Sequence, residues 1–290
     1  MPLSKQKNIL LCLLLCSSLF GYAQTDKFPL EKYEELTDGK TYDGIDIWSK
    51  QADIQLSWGS TDTRYAKWNI PPVRKEFNFS AKAWKGERVN IQAVLWTKKD
   101  LSDVTVTVGD LKCGTSMIPS SVIKTNFVRY VMTDELNKDG KGACGDRSNK
   151  AEWDSSSVAD VLDVVERIDV KANTTQPVWV NIWIPSGTKA GKYKGKLTVS
   201  GKNISPMTLH IGLEVLNRTL PSPKDWHFHL DLWQNPYSVA RYYQVPLWSQ
   251  AHFDAMRPIM QLLANAGQKV ITATIMHKPW NGQTEDPFDA

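Results

Sequence analysis

The sequence predicts two consecutive architectures: an all-β sandwich, then the first β-α-β portion of a (β/α)8 TIM barrel, left incomplete. Three observations carry that prediction. Short β-branched and aromatic runs separated by turn residues recur from about residue 41 to 217. Two prolines in "NRTLPSPKDW" (217–226) then stop the sheet and stiffen the connection. Beyond them the pattern changes to strand, helix, strand, the grammar of a parallel α/β domain.

The amino terminus precedes both parts. "MPLSKQKNILLCLLLCSSLFGYAQTDKF" has Lys5 and Lys7, an apolar run over Ile9–Phe20, and small residues at Gly21 and Ala23. It reads as a signal peptide, residues 1–23, cleaved after Ala23. The apolar run is shorter than the ~20 residues a membrane span needs, so no membrane insertion is expected after cleavage. Leu15 before Cys16 departs from a lipoprotein signal. The protein is expected to be exported, to a periplasm or the outside.

Removing the signal takes Lys5 and Lys7 away and lowers the formal charge from +4 to +2. Charges this few and this interspersed exclude nucleic acid as the expected partner. Cys113 and Cys144 remain. In an oxidising compartment they can pair, and closing a loop of about 30 residues would contribute roughly 3–4 kcal/mol. Two unpaired buried thiols is the other reading. Neither cysteine has the neighbours of a zinc site or an activated nucleophile.

The sandwich is assigned to residues 24–217. Its strands are read at 87–98, 103–111, 121–132, 177–185, 191–201 and 207–216. In "VWVNIWI", Trp179, Asn181 and Trp183 share one face, and Val178, Val180, Ile182 and Ile184 the other. Such alternation suits a sheet packed on one side and partly covered on the other. The stretch 134–163 is polar and Gly-rich at its start, with no clear period, and reads as a solvated insertion. Its acidic residues match no EF-hand spacing, and no metal is expected.

After a linker at 218–225, residues 226–290 open the barrel. In "WHFHLDLW" the residues Trp226, Phe228, Leu230 and Leu232 face one way; His227, His229, Asp231 and Trp233 face the other. A helix starts at Ser249 and stops at Gly267, with Pro258 expected to kink or divide it. "QKVITATIM" (268–276) is the next strand. In such barrels the strands' carboxyl ends carry the chemistry, and both polar-aromatic clusters, Asp231–Tyr243 and His277–Gln283, fall there.

Twelve Trp are either bulky core packings or surfaces that stack on something flat, and sugar rings are a common flat ligand. The candidate substrate-binding residues are Asp231, Trp233, Tyr237, Arg241, His277 and Trp280. Gln234 and Asn235 would extend the hydrogen-bonding wall. The plain alternative makes His227 and His229 core histidines, and Trp233 and Trp280 plugs of the barrel top. Only roughly 65 residues follow the linker where a whole barrel needs about 250. The chain therefore reads as the amino-terminal half of a longer protein.

"FHLDLWQNPYSVARYY", "LLANAGQKVITATIMHKPWNGQTEDPF" and "PVWVNIWIPSGTKAGKYKGKLTVSG" resemble Bacteroidetes-type proteins related to glycoside hydrolase family 123. The resemblance spans nearly the whole mature chain; the two barrel-side motifs are specific and the sandwich motif generic. It implies a β-sandwich before a catalytic barrel and no cofactor. It also implies β-N-acetylgalactosaminidase-like activity on an N-acetylhexosamine-containing glycan, by a retaining, substrate-assisted mechanism. The family's catalytic Asp-Glu pair has no counterpart at a strand end here. Asp134-Glu135 lies in the sandwich-side loop, and Glu285-Asp286 is reversed. The pair is expected beyond Ala290, and the chain alone is expected to be inactive. The rival readings are a non-catalytic glycan-binding or adhesion sandwich, and an inactive barrel.

Overall fold

The structure, a computed structural model, describes residues 35–36, 45–133, 150–154 and 156–271. It is mostly β-sheet with few helices. β1 (Ile54–Gly59), β3 (Arg88–Thr97), β10 (Thr174–Trp183), β7 (Ile123–Thr133) and β8 (Ser156–Asp163) form an antiparallel five-stranded sheet in that order. The second sheet runs β2 (Asn78–Lys85), β12 (Ile204–Thr219), β11 (Gly191–Gly201), β4 (Leu101–Val108) and β9 (Arg167–Val170). The short β5 (Leu111–Cys113) and β6 (Ser116–Ile118) are added beside β11. β2 and β12 pair in parallel; the other pairs are antiparallel.

One apolar core draws on both sheets, so they form a sandwich. Val89, Ile91, Ala93 and Leu95 point inward from β3, and Val178, Val180 and Ile182 from β10. Leu197 and Val199 of β11 and Leu209, Ile211 and Leu213 of β12 meet them. Each fully buried Ile or Leu of this kind contributes about 1.5–3 kcal/mol over an exposed one. All six strands expected from alternation are present. β12 runs two residues into the expected linker, ending at Thr219 opposite Lys85.

Residues 134–163 are not a solvated insertion throughout. Residues 134–149, Cys144 among them, lie outside the described residues, but 156–163 form β8, an edge strand on β7. Its acidic residues concealed it. Asp160 faces out, while the buried Asp163 accepts from Arg129 (2.8 Å), a partner supplied only by the fold. Cys113 is a half-buried thiol against Gly191, where a Cβ would come within 2.7 Å of its Sγ.

The outer face of the five-stranded sheet is covered at one end only. Val94 and Trp96 of β3 pack there with Trp48 of α1 (Ile45–Ser49) and Tyr65. Midway, Gln92 donates to the carbonyls of Ser60 (2.7 Å) and Thr63 (3.1 Å). At the far end Asn90 and Arg88 are exposed beside Asn181 and Trp183.

Beyond the sandwich lie α2 (Pro236–Tyr243) and α3 (Gln250–Asn265). Contact density separates two compact units. One holds the sandwich up to Gln234 with the stretch from Leu262, and the other holds Asn235–Gln261. Among the described residues no helix is long and apolar enough to cross a membrane.

Candidate functional site

The strand expected over 226–233 is absent: residues 226–235 form no regular element and join no sheet among the described residues. A strand requires a neighbouring backbone to pair with. Here a side chain takes that place. Leu232 N–H donates to Gln268 Oε1 (3.0 Å), and Gln268 Nε2 donates to the carbonyls of Leu232 (3.3 Å) and Val270 (2.9 Å). Residues 268–271 likewise form no strand, and the remainder of the second expected strand lies outside the described residues.

Aromatic packing holds the start of this segment. Trp226 Nε1 donates to the Pro221 carbonyl (2.9 Å), and its ring stacks on Phe228 at 5.4 Å and 28°. The same ring lies on Gly267, whose φ of +96° and missing Cβ allow the approach; a Cβ would come within 2.6 Å of the indole. Lys269 donates from its ammonium to the Trp226 carbonyl. His227 and His229 are exposed. Asp231 is half-buried. Trp233 is 69% exposed, which leaves its ring open to stacking.

Gln234 and Asn235 serve the backbone rather than a ligand wall. Gln234 Nε2 donates to the carbonyls of Leu232 and Trp233. Asn235 caps α2, its Oδ1 accepting from Ser238 N–H at 3.2 Å, with Pro236 behind it in the first turn. α2 carries Tyr237 and Arg241 one turn apart on one face. Tyr237 is half-buried and Arg241 exposed. The helix ends where Gln244 turns left-handed (φ 52°) and donates to the Ala240 and Arg241 carbonyls.

A histidine not singled out by the sequence organises this second unit. His252, fully buried, accepts from Trp248 N–H on Nδ1 (3.0 Å), which leaves Nε2–H to donate to the Pro236 carbonyl (2.9 Å). Trp248, held at φ 59°, meets Tyr237 edge-on at 5.9 Å and 82°. His252 thus fixes the base of the helix that presents Tyr237 and Arg241. The helix start at Ser249 was the available signal: its Oγ accepts from the His252 N–H. α3 runs through Pro258 as one helix, so of the two expected effects, a kink or a division, the division does not occur.

Asp231 and Trp233 thus lie on one segment without regular structure, and Tyr237 and Arg241 on one helix face. His277 and Trp280 lie outside the described residues. Among the described residues no group of three or more His, Cys, Asp or Glu is placed to hold a metal.

The densest charge cluster lies in the sandwich. Glu35 accepts from Lys67, from Arg129 Nε (2.8 Å) and from Tyr130 N–H (3.1 Å), while Arg129 also holds Asp163. Burial pushes the Glu35 carboxyl up, but the bonds from Lys67 and Arg129 outweigh it and hold it below its ordinary value. Burial and the Glu35 charge push the Tyr130 phenol well above its ordinary value, and that hydroxyl donates to the Tyr65 and Thr175 carbonyls. This cluster ties chain segments together.

Two family models match the chain in order. Residues 58–201 match the glycoside hydrolase 123 N-terminal domain, and residues 233–290 match the glycoside hydrolase 123 catalytic domain. Among solved structures, a family 123 glycoside hydrolase from Clostridium perfringens, studied for glycolipid glycan hydrolysis, aligns with a TM-score of 0.68 at 24% identity. The alignment covers 80% of this chain and 39% of that one, so this chain spans well under half the length of that structure. A PapD-like domain of human CEP192 (TM-score 0.26, 8% identity, 64% of this chain and 96% of that) is too distant to carry an argument. So is a conjugative transposon lipoprotein from Bacteroides eggerthii (0.24, 8%, 56% and 98%). A search of curated proteins finds no match.

Proposed function

The chain belongs to the glycoside hydrolase 123 family, and from that premise we propose that it is the amino-terminal part of an exported β-N-acetylgalactosaminidase-like enzyme. It would act on terminal N-acetylhexosamine of glycans. The observation that carries the reading is the order of the two matches: the N-terminal domain falls on the sandwich and the catalytic domain begins at residue 233.

In the proposed reaction the substrate's own 2-acetamido oxygen attacks the anomeric carbon as the bond to the leaving oxygen breaks. That oxygen takes a proton from an enzyme acid, and water then opens the cyclic intermediate with retention. The Asp-Glu pair for these steps would lie past Ala290, on later strands of the barrel that residues 226–290 begin. This chain's own part is recognition. Asp231 would accept hydroxyl protons, the open Trp233 ring would stack on a pyranose face, and Tyr237 and Arg241 would border the sugar from one helix face. His277 and Trp280 would join them. No cofactor enters the scheme.

The test is release of N-acetylgalactosamine from a chromogenic β-N-acetylgalactosaminide. The 290-residue chain alone should be silent and a longer protein carrying it active. Asp231→Ala in the longer protein should lower kcat/KM by about tenfold or more at unchanged Tm. Turnover by the short chain overturns the incomplete-site reading, and unchanged kinetics in Asp231→Ala removes that residue from recognition.

A further inference from the structure

The open end of the five-stranded sheet carries an organised set of side chains that the hydrolytic reading does not use. On β3 and β10 the register sets Arg88 against Trp183, Asn90 against Asn181 and Gln92 against Trp179. The Arg88 guanidinium lies over the Trp183 ring, 5.5 Å from its centroid, and donates to Asn181 Oδ1 at 3.4 Å. Asn181 Nδ2 donates in turn to Asn90 Oδ1 (2.6 Å), which also accepts from Trp179 Nε1 (3.2 Å). Each member fixes the next, so the rotamers are set before any ligand arrives.

What this network leaves over is one-sided. Arg88 has no carboxylate partner among the described residues, and most of its five N–H donors are unspent. The Asn90 amide N–H groups and the Trp183 indole N–H also have no protein acceptor among them. Both acceptor oxygens, by contrast, are occupied. The surface therefore offers donors, one full positive charge and flat rings, and it asks for an acceptor-rich anion. Trp183 is 43% exposed, and Trp179, four residues along the strand, lies ~13 Å away. Beside Trp179 the face deepens into a cleft of about 240 Å³ lined by Gln92, Val128, Leu162, and Arg64 paired with Asp160 at 3.8 Å, so the cleft itself adds no unpaired charge.

We propose that this face, centred on Arg88, Trp183 and Trp179, is a binding site for a carboxylate-bearing oligosaccharide. The guanidinium, placed over the Trp183 ring, takes the carboxylate with two parallel N–H bonds. Trp183 presents its ring to the sugar that bears the carboxylate, and the half-buried Trp179, further along the strand, borders the cleft that receives a neutral residue farther down the oligosaccharide. The site lies wholly on the sandwich and needs no hydrolysis, so it stands or falls apart from the proposed activity.

The experiment titrates the whole chain with a galacturonic acid oligosaccharide and with a sialylated oligosaccharide, following tryptophan fluorescence and calorimetric heat. Each is paired with its carboxyl-reduced, neutral counterpart. Binding of at least one acidic probe is expected, weakened about tenfold or more on carboxyl reduction and by added salt. The probe that binds names the source of the carboxylate. Arg88→Lys keeps the charge but loses the planar fork, and Trp183→Ala removes the ring; each should weaken binding about tenfold at unchanged Tm. Absence of binding by both acidic probes, equal affinity for acidic and reduced forms, or unchanged affinity in both variants overturns the proposal.

Discussion

The sandwich and the stretch 226–271 bury their apolar residues very differently. In the sandwich Ile182, Ile184, Leu197 and Leu209 have no contact with solvent, and two sheets share one core. In the other stretch Phe253, Leu262 and Ile271 remain 49–71% exposed, and of the large side chains of α2 and α3 only His252 and Met256 are buried. Area removed from water holds the first together. The second depends on a few directed bonds: the Asn235 cap, the Gln268 amide on Leu232, and the two ring nitrogens of His252. Burial spread over many residues tolerates local change, whereas a few pins make local opening cheap.

The largest effect should come from the sandwich core. Ile182→Ala, in denaturant unfolding, should lower stability by about 2–5 kcal/mol. A cost under 1 kcal/mol would erase the contrast. Next comes Glu35→Gln, which should cost about 1.5–3 kcal/mol at neutral pH, because two cations and an N–H lose a charged acceptor. Its pH dependence has a definite sign. The folded carboxyl is held low, so its stabilisation is complete above the unfolded pKa of about 4.3 and disappears as pH falls through the lower folded value. Urea titrations from pH 6 to 2 should therefore show a shallower acid limb in Glu35→Gln, and an unchanged limb would remove Glu35 as its source.

His252→Phe sharpens the comparison on the other side. It should cost about 1–3 kcal/mol locally by stranding the Trp248 N–H and the Pro236 carbonyl. Hydrogen exchange should then speed up at Trp248 and along α2 while the sandwich amides keep their protection. Equal acceleration in both would mean that they open together. The smallest effect belongs to Phe253→Ser, within about 0.5 kcal/mol, since that ring is already half in water. A loss matching that of Ile182→Ala would show a hidden burial there.

The sandwich was far more legible than the rest. Val178, Val180, Ile182 and Ile184 alternate with Trp179, Asn181 and Trp183, and the structure buries the first set and leaves the second facing outward. β8 escaped notice because Asp160 and Asp163 interrupt its apolar pattern. α2 carried its own signal, Asn235 before Pro236, yet that signal lay inside a run of aromatic and polar residues that also reads as a site. Of the alternation in "WHFHLDLW" the structure shows Trp226 stacked on Phe228, while Phe228 and Leu232 stay exposed; alternation proposes a strand that only a neighbouring backbone completes.

By itself the sequence determined which face of β10 turns inward, that a helix runs between Ser249 and Gly267, and which family the chain resembles. Those properties are local, written in periods of two residues and in single capping residues. Only the tertiary structure decided that Arg88 lies on Trp183, that Glu35 joins Lys67 to Arg129, and that Gln268 stands in for a strand partner. Such meetings depend on pairing register, and a slip of one residue would turn every side chain to the opposite face. No local pattern records that choice.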